Sequence, residues 1–476
     1  MKTIFFENYM SSKEPLASET ISSSFQRIAT LDGCRGVAIF LMTFFHSLYH
    51  VVNYDAIAED PNRLLEYPKI VLGILGFLLY LGTWNTFFLL VSSVVNTYVM
   101  AKSVSRGVNL KILLWKRVIT GVVLLFVDHL IEGLGYWGFF GEGFRTGVWK
   151  HTDKIWHPFF MIQTLEMIAW GIIITSIINY FLLRRKGYEK HNRNRKLYII
   201  LTLIVLLLTP VVHTLVDARP WSIPESLSEN PDIFDTAGWP DTQIQIHNSS
   251  ILTWFLVILA GDFEPLFPCL STAFVGAIIG LFLANPRSSR KFFRIGFLSA
   301  AGSIVIGGLL IISGMTFSAF HRPALTNHLL QLGGQILAVL IPLRLVEFRG
   351  RAQKAANTRF IRFMRRWAMV ALTVYALEIF DIFPQWTLNL ILGNITGLNF
   401  FERIFNFDQL PLALAVAVYS VFWYYLLLLL WAKFNYKGSF EWLLIQIQGL
   451  VSKQKSQRLN VDLMLKKVEW MNFKLE

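Results

Sequence analysis

Apolar runs of about 20 residues, divided by short charged stretches, recur along most of the chain and are long enough to cross a bilayer as helices. They predict ten spans, at roughly 35–53, 69–101, 113–132, 158–183, 197–216, 265–285, 295–317, 325–346, 366–384 and 410–434. The second run is long enough to hold a break near Gly82, Thr83, Trp84 and Asn85. The fold class expected is an all-α polytopic membrane protein.

Charge alternates with the spans. The connection 102–117 carries Lys102, Arg106, Lys111, Lys116 and Arg117 with no acid, and 184–196 carries seven Lys/Arg against Glu189. The stretches 287–294 and 347–366 are basic too, whereas the connections after odd-numbered spans hold Asp55, Glu59, Asp60 and Glu66, and then Asp217, Glu225, Glu229, Asp232, Asp235 and Asp241. The positive-inside rule then puts both termini in the cytoplasm, and it requires 69–101 to cross only once. Residues 1–27 are Ser-rich, without the basic start and cleavage site of a signal peptide, and are expected to form a mobile cytoplasmic tail. Residues 28–437 form the ten-helix domain, and 438–476, with FEWLLIQIQGLV followed by lysines, suits a cytoplasmic amphipathic segment on the inner membrane surface.

Composition agrees with a membrane class: 54% of residues are hydrophobic and only 16% charged. The formal charge of +13 sits between the spans, so the bilayer accounts for it and no nucleic-acid partner is expected. Cys34 and Cys269 fall on opposite sides of this topology, which argues against a disulfide between them. No CxxC, HExxH or GxxxxGK[ST] motif is present, so no metal site and no permanently bound cofactor is expected. The sequons at Asn248 and Asn394 both fall on the outer side.

Polar residues inside the spans carry the candidate chemistry, because ionisable groups there are costly. Arg35 and His46 share the first span; at 1.5 Å and 100° per residue they lie on nearly one face, roughly 16 Å apart. His50, four residues beyond His46, shares that side. Sorted by depth, Arg35, Lys116, Arg117, Arg294 and Arg344 lie toward the cytoplasm, while His46, His50, Asp128, His129, Glu166, His213, His328, Glu378 and Asp381 lie from mid-membrane outward. A basic inner ring suits a phosphate-bearing donor, and the outer set suits proton transfer to an acceptor. The positive-inside bias alone also produces such a ring, and interhelical hydrogen bonding alone accounts for many buried histidines. Asp128 and His129 end the third span with Glu132, but neighbours in a helix do not face each other. Gln163 with Glu166, and Glu378 with Asp381, are spaced to present polar pairs inward. His213 and His328 are expected near outer interfaces. Tyr136, Trp137, Trp149, Trp156, Trp221 and Trp239 in the outer loops suit either sugar stacking or the interfacial aromatic belt.

The run LDGCRGVAIFLMTFFH at 31–46 resembles the first-helix signature of the transmembrane acyltransferase superfamily, including acyltransferase family three, whose Arg-x10-His motif matches Arg35 and His46. Further short matches are similar to the heparan-α-glucosaminide N-acetyltransferase-like branch: Phe87, Phe88 and Leu89 with Ser92 and Ser93, Arg106 and Gly107 before Lys116 and Arg117, Gln163 in IQTLEMIAW, DFEPLFPCLSTAFVGAIIG, ALTVYALE and GSFEWLL. Thr164 and Glu378 stand where that branch often has Arg and His, and the 54–68 loop has no clear counterpart of its catalytic loop. The resemblance implies transfer of an acyl group, commonly acetyl, from cytoplasmic acyl-CoA as co-substrate to a glycan or glycolipid acceptor across the membrane. Arg35, with Lys116 and Arg117, would hold the donor, and His46, with His50 as a second candidate, would serve as general base. Asp32, Gln163, Glu166 and Glu378 would support them. The localisation implied is a multi-pass protein of the plasma or an intracellular membrane, compatible with a homo-oligomer. From the residues alone, a proton-coupled secondary transporter and a non-catalytic scaffold stay open.

Overall fold

The computed structural model describes residues 27–53, 68–135, 138–149, 155, 162–217, 250–261, 263–315, 322–377, 382–401, 404–405, 409–452, 461, 465 and 470–473. Outside them lie nearly all of the 1–27 tail, the loop acids from Asp55 to Glu66, Tyr136, Trp137, Trp156, Trp221, Trp239, Asn248, Glu378 and Asp381.

Among the described residues the fold is helical, with three isolated β-bridges and no strand. The principal helices are α1 (Ala29–Val51), α2 (Lys69–Gly82), α3 (Thr86–Ser105), α4 (Leu110–Leu134), α5 (Thr164–Leu183), α6 (His191–Asp217), α7 (Ile251–Ala260), α8 (Leu266–Ala284), α9 (Ser289–Ile312), α10 (Leu325–Val346), α11 (Arg359–Met369), α12 (Ala371–Leu377), α13 (Leu410–Ala432) and α14 (Phe440–Ser452). Seven are long and apolar enough to cross a membrane: α3, α5, α6, α8, α9, α10 with its 3-10 extension, and α13. A multi-pass membrane protein follows. Exposed Leu207, Leu215, Leu298 and Phe422 on α6, α9 and α13 suit lipid contact rather than water.

Packing separates inner from peripheral helices: 83% of the apolar window of α8 is buried but only 11% of that of α9. The seam between α3 and α8 depends on Gly276 and Gly280, one turn apart. A Cβ on either would lie 2.6 Å from a backbone carbonyl of α3, that of Leu90 or Val94. Small residues at this spacing let two backbones meet in a bilayer. Gly36 does the same for α1 against α11, where a Cβ would lie 2.0 Å from the Met364 carbonyl.

The expected break in the second run is present: α2 ends at Gly82 and α3 starts at Thr86. The expected ninth run, 366–384, is not one helix. α11 ends at Met369, Val370 leaves helical geometry at φ −132° and ψ 40°, and α12 begins at Ala371. Glu441 explains the interruption. Its carboxylate accepts hydrogen bonds from the backbone N–H groups of Leu372 (2.6 Å) and Thr373 (3.4 Å) and from the Thr373 hydroxyl. A first helical turn leaves such N–H groups unpaired, and an anion there also meets the positive end of the helix dipole.

This contact also ties the C-terminal segment to the bundle. α14 packs against α4 and α12, and Gln448 donates to the Thr120 hydroxyl at 2.8 Å. Farther on, Met471 N–H donates to the Arg27 carbonyl and Phe473 N–H to that of Glu347, while Phe473 stacks 4.8 Å from Phe348. One further element escaped the hydropathy pattern: α7, ten residues long, capped by the Ser250 hydroxyl and ended at Gly261, is too short to span alone.

Candidate functional site

Polar side chains converge where several helices begin or end. Asn85 stands in the break before α3, Gln163 and Thr164 open α5, and Glu264 precedes α8. The non-helical leads into α5 and α8 lie side by side: Ile162 and Phe263 form a parallel bridge, and Glu264 N–H donates to the Ile162 carbonyl at 3.0 Å. Phe263 adopts a left-handed φ of 64°, which costs a non-glycine residue about 1–2 kcal/mol. The last turns of α4 bring in Asp128, His129 and Glu132.

Ligand atoms of Asp128, His129 and Glu166 all lie within 4.8 Å of one another. Asp128 is fully buried, Glu166 is 2% exposed and Glu264 6% exposed. Glu166 accepts from the Trp170 indole at 3.2 Å, and Glu132 from the Tyr375 hydroxyl at 3.4 Å. Neither carboxylate oxygen of Asp128 or of Glu264 has a hydrogen-bond partner at normal geometry. Asn85 and Thr164 lie beside Glu264, His46 is close enough for its charge to act on Glu264, and the charges of Glu132, Glu166 and Glu264 all bear on Asp128. Among the described residues, no lysine or arginine pairs with Asp128, Glu166 or Glu264.

Such a group can hold a proton, orient an imidazole or take a cation. Although sequence neighbours, Asp128 and His129 reach the same group, with Nδ1 of His129 4.0 Å from Oδ2 of Asp128. Their side chains leave α4 about 100° apart, and Glu166 of the packed α5 is within reach of both. Gln163 and Glu166 do not form a pair along one helix, because Gln163 is the extended N-cap residue of α5.

His46 is half-buried beside this group. His50 is 2% exposed in the last turn of α1, next to the point where Val51 packs with Phe400 and Phe405. Its ring lies 6.4 Å from that of Tyr49. His328, in the first turn of α10, is fully buried within the protein and shares a 2.8 Å hydrogen bond with the Ser271 hydroxyl. His213 bonds the Phe267 carbonyl at 2.9 Å.

At the other end of α1, Arg35 is exposed and its charge acts on Glu441 of α14. Burial pushes the Glu441 carboxyl above its usual range, against the opposing effects of the Thr373 hydroxyl and Arg35. Lys116 and Arg117 are half-buried one turn before Thr120, the hydroxyl that receives Gln448. Of the three proposed donor-binding cations, Arg35 acts directly on α14, and Lys116 and Arg117 lie one turn from the residue of α4 that bonds it. Arg294 and Arg344 instead line, with Arg290, an open cavity of about 650 Å³ between α9 and α10. Asp32 is ion-paired with Arg27 at 2.9 Å and lies 3.9 Å from Arg365, so it ties the N-terminal end of α1, away from His46. Burial brings Arg365 down to about 10, with Asp32 opposing, and its guanidinium covers the Trp470 ring at 4.3 Å.

Glu264, Asn85 and Tyr375 were not singled out as site residues by the sequence. The signal for Glu264 was an acid followed by Pro265 at the mouth of a long apolar run; for Asn85 it was the predicted break itself. Comparison with protein-family models gives no match, and no curated protein matches the chain.

Proposed function

We propose that this protein is a membrane acyltransferase that takes an acyl group, acetyl foremost, from cytoplasmic acyl-CoA and delivers it to a glycan or glycolipid acceptor outside. One observation carries the reading. A single helix, α1, has the cation Arg35 at one end and His46 at the other, and His46 lies beside a buried carboxylate, Glu264. A carboxylate near an imidazole stabilises the cation formed when it takes a proton. In this reading, Arg35, Lys116 and Arg117 hold the donor phosphates, and His46 removes the proton from an acceptor hydroxyl or amine as it attacks the thioester carbonyl. The carbon–sulfur bond breaks, the acyl–acceptor bond forms, and CoA leaves as the thiolate, which takes up a proton. The orientation fits the basic inner loops under the positive-inside rule. Ten spans and cytoplasmic termini belong to this proposal.

The test uses purified protein in liposomes with radiolabelled acetyl-CoA trapped on the side of the basic loops and a saccharide panel on the other. Label on an external saccharide is the expected result. A second reading, a proton-coupled transporter, draws on the discontinuity between α2 and α3 and the short α7 preceding α8, since broken helices next to buried carboxylates are common in transporters. Saccharide uptake driven by a pH gradient, without acetylation, would favour it.

A further inference from the structure

Among the described residues no lysine or arginine pairs with the acids of this group, although the charge of His46 acts on Glu264. Asp128, His129 and Glu166 place one ligand atom each within 4.8 Å of the others, on two helices that pack along their length, α4 and α5. Sharing protons alone would let the acids form hydrogen bonds with one another. Both oxygens of the fully buried Asp128 instead lack a hydrogen-bond partner, although the charges of Glu132, Glu166 and Glu264 act on it. Glu264 gives a second, independent indication. It stands on a different segment, before α8, and is 6% exposed; neither oxygen has a partner at normal hydrogen-bond geometry, although Asn85 and Thr164 lie close enough to act on it. Asp128, fully buried and without a hydrogen-bond donor at normal geometry, is costly without a cation or a proton, and with His129 and Glu166 it offers the donor set that a cation takes.

We infer that Asp128, His129 and Glu166 bind one divalent transition-metal ion between α4 and α5, with Glu264 adding negative charge at its edge. One imidazole nitrogen and carboxylate oxygens form a mixed donor set that suits Mn²⁺ or Zn²⁺ better than Mg²⁺ or Ca²⁺, which take oxygen alone, or Cu⁺, which prefers thiolate. The absence of HExxH and CxxC does not oppose this, since two ligands are neighbours on one helix and the third comes from another. The inference does not depend on acyl transfer.

Untagged full-length protein, purified in detergent without chelator, tests it. Metal content by atomic emission and Mn²⁺ binding by electron paramagnetic resonance should each show one ion per chain. Removal by EDTA should lower the melting temperature and Mn²⁺ or Zn²⁺ should restore it, as expected for a ligand of the folded state alone. Asp128→Asn and Glu166→Gln should weaken Mn²⁺ binding about 100-fold or more, and Glu264→Gln about tenfold, in variants that elute like wild type. If a variant fails to fold, stoichiometry and chelator response of the wild type still decide. Wild-type protein that takes up neither ion, or folded variants that bind Mn²⁺ as well as wild type, would overturn the site. Acetylation assays run on the same samples keep this result separate from that of the transferase reading.

Discussion

Gly36 shows how much one residue of the first helix decides. With the Met364 carbonyl 2.0 Å from where a Cβ would lie, α1 meets α11 only through a bare backbone. Gly36→Val should cost about 1–3 kcal/mol or more, read as a lowered melting temperature in detergent. Its neighbour Arg35 is exposed, so Arg35→Ala should leave that temperature nearly unchanged while weakening acetyl-CoA binding by about 2 kcal/mol, measured by isothermal titration. Equal acetyl-CoA affinity in the two proteins would remove Arg35 from the donor site. The side chains with chemical potential were legible one at a time: His46, Asp128, His129 and Glu166 all stand out as costly groups in apolar runs. Their grouping was not, because it depends on how α4 and α5 pack and on a left-handed Phe263 beside Glu264, neither of which has a sequence period.

At the scale of elements, hydropathy finds long uniform helices and misses those whose ends are satisfied from elsewhere. The break after Gly82 could be read from Gly82, Thr83 and Asn85, which favour turns. The break at Val370 could not, because the residue that makes it favourable, Glu441, arrives from α14. That contact has a pH dependence. The Glu441 carboxyl is raised above its ordinary 4.5, so the folded chain binds this proton more tightly than the unfolded chain. Its contribution to stability is therefore greatest below about 4.5 and falls as pH rises through the folded value. Protection of the amides in 371–377 and 440–452, relative to the intrinsic exchange rate at each pH, should fall over that rise in wild type, and Glu441→Gln should remove this fall. An identical pH response in the variant would refute the role of this carboxyl.

For the molecule as a whole, the alternating charge of the loops predicts orientation, and helix exposure agrees on which elements meet lipid. α6 and α9 are largely exposed and apolar, whereas α8 is enclosed. Epitope tags placed at both termini should be protected together in sealed vesicles with the basic loops inside; protection of only one would require an odd number of spans. The separation of Arg35 from His46 along α1 gives the transferase reading its direction, from a donor held near α14 to an acceptor near the carboxylates. The most direct measurement of that claim is the turnover of purified His46→Ala with labelled acetyl-CoA and an acceptor on which the wild type acts, alongside its acetyl-CoA affinity. Loss of a general base predicts a fall of about 10²–10⁴-fold in turnover with donor affinity unchanged. Transfer at the wild-type rate would contradict the account.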